Sequence, residues 1–271
     1  MDRYGKSKAW MWFVAPLAAG LVAGCNPDPI FGGPGSGASG TAPPGAPPGV
    51  GPIAASCASG ALPLGSAASF GVLGGTALTI TNPTSVTGDV GSPSITPASG
   101  PSTLVGTMYD SSPAAELTVI ATAVTDMQTG LGCGVARTCD FDYAVATDFG
   151  GMTLAPGVHC VVGAMSVGSN LTLTTPGVYI FRSTGALTTA PSVTVALAGA
   201  ANAGNTSIFW ATSGAGSNVS IGATNVFLGT ILCGAAGDPC AATLGANTTL
   251  LAGRVLSTNA VTLDTNQIAI P

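Results

Sequence analysis

Short apolar runs recur through the last two thirds of this chain, separated by Gly, Asn, Ser and Thr. One set reads Val158-His159-Cys160-Val161, Val178-Tyr179-Ile180-Phe181, Ser207-Ile208-Phe209-Trp210, Thr230-Ile231-Leu232-Cys233 and Arg254-Val255-Leu256-Ser257. A second follows each of these: Met165-Ser166-Val167, Leu187-Thr188-Thr189, Val219-Ser220-Ile221, Ala242-Thr243-Leu244 and Val261-Thr262-Leu263. A third completes the unit: Leu171-Thr172-Leu173, Val193-Thr194-Val195, Asn225-Val226-Phe227, Thr249-Leu250-Leu251 and Gln267-Ile268-Ala269. Alternation of apolar and polar residues over three positions is the period of a strand with one side buried. From Ile208 to Ile231 is 23 residues and from there to Val255 is 24. Earlier spacings are looser, and 198–205 reads as an inserted loop. A repeat of that length cannot bury its own core, so neighbouring repeats must stack. Three strands per repeat predict a mainly β fold, a β-solenoid with a three-sided cross-section whose coils hydrogen-bond to one another. Gly and Asn fall where a coil turns its corner.

An earlier piece has the same grammar: Phe70-Gly71-Val72-Leu73, Leu78-Thr79-Ile80 and Ser85-Val86-Thr87. Between it and the later coils, Leu117, Ile120, Ala121, Val124, Met127 and Leu131 recur at helical spacing. The spacing predicts one long helix over 113–131. Ser112 is the expected N-cap, with Pro113 at the first helical position and Gly130 or Gly132 as the stop. Its apolar face needs a partner. The first strand set, apolar on both sides and carrying Tyr179, Phe181, Phe209 and Trp210, is the expected one.

Composition narrows the class. Only 6% of the residues are charged while 46% are hydrophobic, so neither disorder nor an ordinary helical enzyme fits. Residues 1–24 read as a secretory signal: Arg3, Lys6 and Lys8 precede an apolar stretch that ends in Leu21-Val22-Ala23-Gly24-Cys25. Small residues before a Cys resemble a bacterial lipobox, which implies lipidation of Cys25 and a lipoprotein held at the cell envelope, facing outward. Residues 25–56 are rich in Pro, Gly, Ser and Ala and read as a flexible tether. The folded domain is then 57–271. Beyond the signal the bases are Arg137, Arg182 and Arg254 alone, against ten carboxylates, which excludes a nucleic-acid partner.

Six further cysteines, an even number in an oxidising compartment, read as disulfides. Short spacing pairs Cys133 with Cys139 and Cys233 with Cys240, which leaves Cys57 for Cys160. A zinc site of His159, Cys160, Cys133 and Cys139 is the competing arrangement, although strand alternation sends His159 and Cys160 to opposite sides. Asp140, Asp142 and Asp148 form a loop cluster, read as solvated rather than as a calcium site. No Gly-x-Ser-x-Gly, His-Glu-x-x-His or phosphate-binding glycine loop occurs, and neither an enzymatic centre nor a cofactor or resident metal is expected.

Several segments together resemble a known family. Leu64-Gly65-Ser66-Ala67-Ala68-Ser69-Phe70-Gly71-Val72-Leu73, Thr87-Gly88-Asp89-Val90-Gly91, Leu154-Ala155-Pro156-Gly157-Val158 and Ala260-Val261-Thr262-Leu263-Asp264-Thr265-Asn266 are similar to the ice-binding-like domain of microbial antifreeze proteins and their membrane-anchored relatives. The resemblance spans about 64–270. It implies a discontinuous right-handed β-solenoid with one α-helix alongside, the N-terminal coil stacked beside the C-terminal one, out of chain order.

The outward positions of the second strand set then become the candidate site. They are Thr79, Ser166, Thr188, Ser220, Thr243 and Thr262. Two residues earlier on the same side stand Ala77, Ala164, Ala186, Asn218, Ala241 and Ala260; two residues later, Thr81, Gly168, Ala190, Gly222, Gly245 and Asp264. Coils lie ~4.8 Å apart and same-side residues along a strand ~6.6 Å apart, so the expected surface is a level grid of methyls and hydroxyls. Such a grid suits ordered water or ice as the partner, engaged by a monomer. The third set is less level, interrupted by Phe227, Leu251 and Gln267. An adhesin or carbohydrate-binding surface lipoprotein on the same scaffold is the alternative.

Overall fold

Every strand pair is parallel, and each strand's partner is the matching strand of the next coil. The computed structural model describes Cys57 and residues 59–97 and 100–271. The signal, Cys25 and the tether lie outside the described residues. One sheet orders its eight strands as Ile95–Thr96, Leu78–Ile80, Val261–Leu263, Ala242–Leu244, Val219–Ile221, Leu187–Thr189, Met165–Val167 and Thr147–Asp148. A twelve-stranded sheet wraps the other sides.

The stacking is discontinuous, as the family resemblance implies. Leu78 pairs with Val261 and Val72 with Val255, so the N-terminal coil closes the edge that the C-terminal coil would leave open. Asn82 Nδ2 donates to Asp264 Oδ1 at 2.7 Å across 182 residues of sequence. A further coil, Asp89–Gly91, Ile95–Thr96, Thr103–Val105 and Met108–Tyr109, extends this end. Phe141–Tyr143 and Thr147–Asp148 extend the other. These end coils stand 18 residues from their neighbours, Val90 from Val72 and Phe141 from His159, outside the spacing of the regular repeats, so the sequence pattern missed both.

Two corners differ from the expected three separate strands. Val226–Cys233 and Thr249–Ser257 each run from the third side into the first without a break, with a bulge between Leu228 and Thr230. Gly229 at that bulge has φ +100, and a Cβ there would sit 2.6 Å from the Ile208 side chain. Leu171–Leu173 pairs with Val195–Leu197, not with the run centred on Thr194. Val193 and Thr194 are drawn into the corner, where the Val193 N–H donates to Asn225 Oδ1 at 2.7 Å and Thr194 bridges to Val226.

The interior is a stack of aliphatic residues with an aromatic column at one corner. Successive ring centroids from Phe141 through His159, Phe181 and Trp210 to Phe227 lie 4.5, 4.9, 4.3 and 4.9 Å apart. Phe227 is fully buried and does not roughen the third side; Leu251, 42% exposed, does. His159 is buried, with Nε2 2.9 Å from the Ala155 carbonyl and Nδ1 3.2 Å from the Tyr143 hydroxyl. Its ring points inward while Cys160 points to the helix, which disperses the proposed zinc set.

The disulfides are Cys57–Cys133, Cys139–Cys160 and Cys233–Cys240, with Cα separations of 5.0, 5.8 and 5.3 Å. Only the third matches the expectation from spacing. The expected Cys133–Cys139 and Cys57–Cys160 pairs fail because the helix runs on through Cys133. Cys133 is held on its buried face, and Cys139 lies past the helix end beside the strand bearing Cys160.

That helix spans Ala114–Ala136 and buries Ile120, Ala123, Met127, Leu131 and Cys133. They pack on Phe70, Leu73, Val158, Ile180, Phe209, Leu232 and Leu256, so the first strand set is indeed the helix's partner. Ala123 takes the buried position expected of Ala121, and Leu117 stays at the rim, 37% exposed. Gly130 and Gly132 do not end the helix. Gly130 is there for close approach, since a Cβ would meet the Pro63 carbonyl oxygen at 2.5 Å. The helix ends where the Arg182 guanidinium donates to the carbonyls of Gly134, Val135 and Arg137, satisfying last-turn acceptors and the negative end of the helix dipole. At the start the cap is Pro113, not Ser112. The Ser112 N–H is bound by Asp110 Oδ1 at 2.6 Å, and Glu116 in the first turn accepts the Asp110 N–H at 2.8 Å.

Two stability outcomes follow from this packing. Gly130→Ala lowers stability by about 1–3 kcal/mol through overpacking despite alanine's better helix propensity. Gly132→Ala, with nothing within 4 Å of the added carbon, raises it by up to about 1 kcal/mol. Chemical denaturation of the two variants measures both. Burial, only partly offset by the Ala155 carbonyl and the charge of Asp140, holds the His159 pKa below 6.5. The unfolded chain then binds the extra proton, so stability falls as the pH drops below 6.5. His159→Phe keeps the ring column and flattens that slope in thermal melts.

Candidate functional site

The hydroxyl row is continuous across seven strands of the eight-stranded sheet and ends at Asp148 on the eighth. Thr96, Thr79, Thr262, Thr243, Ser220, Thr188, Ser166 and Asp148 stand opposite one another in unbroken register. Their flanking residues point in: Leu78 and Ile80, Val261 and Leu263, Ala242 and Leu244, Val219 and Ile221, and Met165 and Val167 are all buried. Thr79, Thr188, Ser220 and Thr243 are exposed; Thr262 and Ser166 are half-buried. The six hydroxyl residues expected from the sequence are therefore brought together. Thr96 and Asp148 are additions, both on two-residue strands with no apolar pair to flag them.

The small-residue row is locked to the same ladder through backbone bonds. The carbonyls of Ala77, Ala260, Ala241, Ala186 and Ala164 accept the N–H groups of Val261, Ala242, Val219, Met165 and Thr147 at 2.9–3.1 Å. Asn218 sits among them, its carbonyl accepting the Leu187 N–H at 3.1 Å.

The third row is a corner rather than a continuation of the ledge. A Cβ on Gly222 would meet the Ala190 carbonyl carbon at 2.7 Å, and one on Gly245 the Ala223 nitrogen at 2.7 Å. Glycine lets each coil turn down onto its neighbour there. The corner itself is made by Ser192, Thr224, Asn247 and Thr265, each with φ between 53 and 61, followed by the buried Val193, Asn225, Thr248 and Asn266. Asn266 Nδ2 donates to the Gly245 carbonyl at 2.9 Å, and Thr248 Oγ1 to that of Gly222 at 2.8 Å. Asp264 Oδ1 accepts from Asn82 and Thr265, so this charge serves the corner.

Asp148 ends the hydroxyl row as a cap. Its Oδ1 accepts the N–H groups of Gly150 and Gly168 at 2.9 and 2.7 Å. These bonds, with a smaller contribution from the Ser166 hydroxyl, outweigh its burial and hold its pKa below 3.8. Asp140 Oδ2 accepts the Val158 N–H at 2.8 Å, so the acids of this loop are divided between separate backbone tasks. Asp142 lies near Cys139 and Cys160, whose sulfurs are spent in a disulfide. All three arginines among the described residues are used elsewhere. Arg137 donates to the carbonyls of Cys57 and Gly60, Arg182 caps the helix, and Arg254 Nε reaches the Ala68 carbonyl at 2.9 Å.

This architecture defines a class: a parallel β-solenoid buttressed by one helix, with one small polar residue per coil aligned across its eight-stranded sheet. Residues 72–269 match the ice-binding-like family, and the chain belongs to it. It is 34% identical over 223 residues to an ice-binding protein of Flavobacterium frigoris, covering 77% of this chain and 76% of that protein. It is 30% identical to an ice-binding protein of Nostoc sp., covering 76% and 73%. Among solved structures, an ice-binding protein from an Antarctic biological consortium superposes with a TM-score of 0.66 at 30% identity, covering 79% of this chain and 93% of that one. One from the Antarctic ascomycete Antarctomyces psychrotrophicus gives 0.67 at 26% identity, covering 78% and 99%.

The cap bonds of Asp148 are stronger to its carboxylate than to a neutral oxygen. A lowered pKa means that its contribution is present above pH 3.8 and is lost as the pH falls through the folded value. Asp148→Asn therefore melts below the parent at pH 7, and the gap narrows as the pH drops below 3.8, read by melting temperature across pH.

Proposed function

We propose that this protein adsorbs to ice through the face built on Thr79, Ser166, Thr188, Ser220, Thr243 and Thr262, with Ala77, Ala164, Ala186, Ala241 and Ala260 beside them. The carrying observation is the unbroken register of one small hydroxyl residue per coil. With a coil spacing of ~4.8 Å and an along-strand spacing of ~6.6 Å, the methyls cage water while the hydroxyls anchor it. The resulting ordered layer merges with the crystal surface. β-Branched Thr loses little rotamer freedom on adsorption. Adsorbed molecules force the growing front to curve between them, which inhibits growth or recrystallisation without turnover.

The remaining parts fit a secreted surface protein. Three disulfides suit an oxidising compartment. A lipid on Cys25 and the Pro/Gly-rich tether over 25–56 would hold the face clear of the membrane, so that adsorption by a single copy also fixes the cell to ice.

Ice-affinity partitioning tests the reading. The parent protein is expected in the ice fraction. Thr188→Tyr and Thr243→Tyr place a ring upright in the middle of the face and abolish partitioning while leaving the melting temperature unchanged. A parent protein that stays in the liquid rejects ice as the ligand and favours an adhesin on the same scaffold.

A further inference from the structure

Of the six row positions read from the sequence, Asn218 is the one that is not alanine, and its side chain is tied down. Its Oδ1 accepts the Ala241 N–H at 3.0 Å. The partner is a backbone donor, so the oxygen must occupy that position and the amide orientation is fixed by chemistry. The Nδ2 group thus faces away from Ala241, and among the described residues it has no protein partner. Asn218 is exposed, and the strand that follows it places Ser220 between Thr188 and Thr243.

We infer that Asn218 is a specificity-determining anchor of the face, presenting a fixed amide donor to a lattice water that its alanine neighbours only cage. This rests on the ice reading above and deepens it. A free asparagine would lose side-chain freedom on adsorption. Here the bond to Ala241 has already spent it, so the two Nδ2 protons are offered in one place. The donor stands in the methyl row, two residues before Ser220, whose strand lies between those of Thr188 and Thr243. What looks like a break in the alanine row is a polar pin in a methyl field, and it discriminates among crystal planes by where each places an acceptor oxygen.

Two variants separate the donor from the structural acceptor. Asn218→Asp keeps an oxygen for the Ala241 N–H and removes both donors; Asn218→Ala removes all of it and leaves the face level. Ice-affinity partitioning is measured against protein concentration, with melting temperature in parallel and fluorescent labelling of a single ice hemisphere to show which planes are covered. Both variants are expected to need about fivefold more protein for equal occupancy, the loss of one net hydrogen bond, with planes missing from the labelled pattern. Asn218→Asp is expected to melt with the parent. Parent-like partitioning by Asn218→Asp reduces Asn218 to a structural acceptor and overturns the proposal. Parent-like partitioning by Asn218→Ala, with Asn218→Asp impaired, assigns the effect to the added charge and also overturns it. If the parent itself stays in the liquid, the ice reading fails and the anchor falls with it.

Discussion

One constraint organises this molecule: parallel coils hydrogen-bonded in register, so that a given position in one coil meets the same position in the next. Registry turns a choice made once into a row. Leu, Val, Ala and Met inside the eight-stranded sheet make a continuous core because Leu78, Val261, Ala242, Val219, Leu187 and Met165 stand opposite one another. Hydroxyls outside it make a continuous surface for the same reason. A slip of one residue would send every side chain to the other side, so the apolar interior that stabilises the fold also fixes the outward hydroxyl row.

Low charge follows from this design. The three arginines among the described residues hold the helix end and irregular chain against the solenoid by binding backbone carbonyls. Carboxylates on the coils do the converse work on N–H groups, as Asp148 does for Gly150 and Gly168 and Asp140 does for Val158. Spending charges on the seams keeps them off the middle of the face. A strongly hydrated ion there would organise water around itself rather than in the pattern of the rows.

The repeated strands were legible in the sequence because stacked coils repeat the same short strand motifs in the same order, at 23 and 24 residues between Ile208, Ile231 and Val255, and a helical bundle or a hairpin sheet does not. The candidate rows were legible for the same reason, since Thr188 between two inward residues has only one direction left. The out-of-order stacking left no local trace and came only through family resemblance. Pairings set by three-dimensional approach were misread. Sequence distance favoured Cys133–Cys139, but a helix that continues through Gly130 and Gly132 carries Cys133 to Cys57 instead. Gly130 looked like a stop because the opposing Pro63 carbonyl cannot be seen from the helix's own sequence, while Gly132 faces open space. The corners were half legible: Asn and Gly marked them, yet left-handed backbone falls on Ser192, Thr224 and Thr265 as readily as on Asn247, since the buried residue that follows each of them has to point inward.

The severest threat to registry is the uneven link between the helix side and the flat side. Residues 184–186 or 258–260 suffice in the regular coils, but 213–218 and 234–241 are longer and adjacent. Slack there would let Thr243 drift between Ser220 and Thr262. The structure removes it at Cys240, which is bonded to Cys233, donates its N–H to Thr258 Oγ1 at 3.1 Å, and gives its carbonyl to the Ser257 hydroxyl. One residue on, the Ala241 N–H is taken by Asn218 Oδ1. By Ala242 the chain is again opposite Val219 and Val261. The disulfide and the asparagine thus act on consecutive residues at one seam. A level face can tolerate loops of different length only if each excursion is closed before the strand begins.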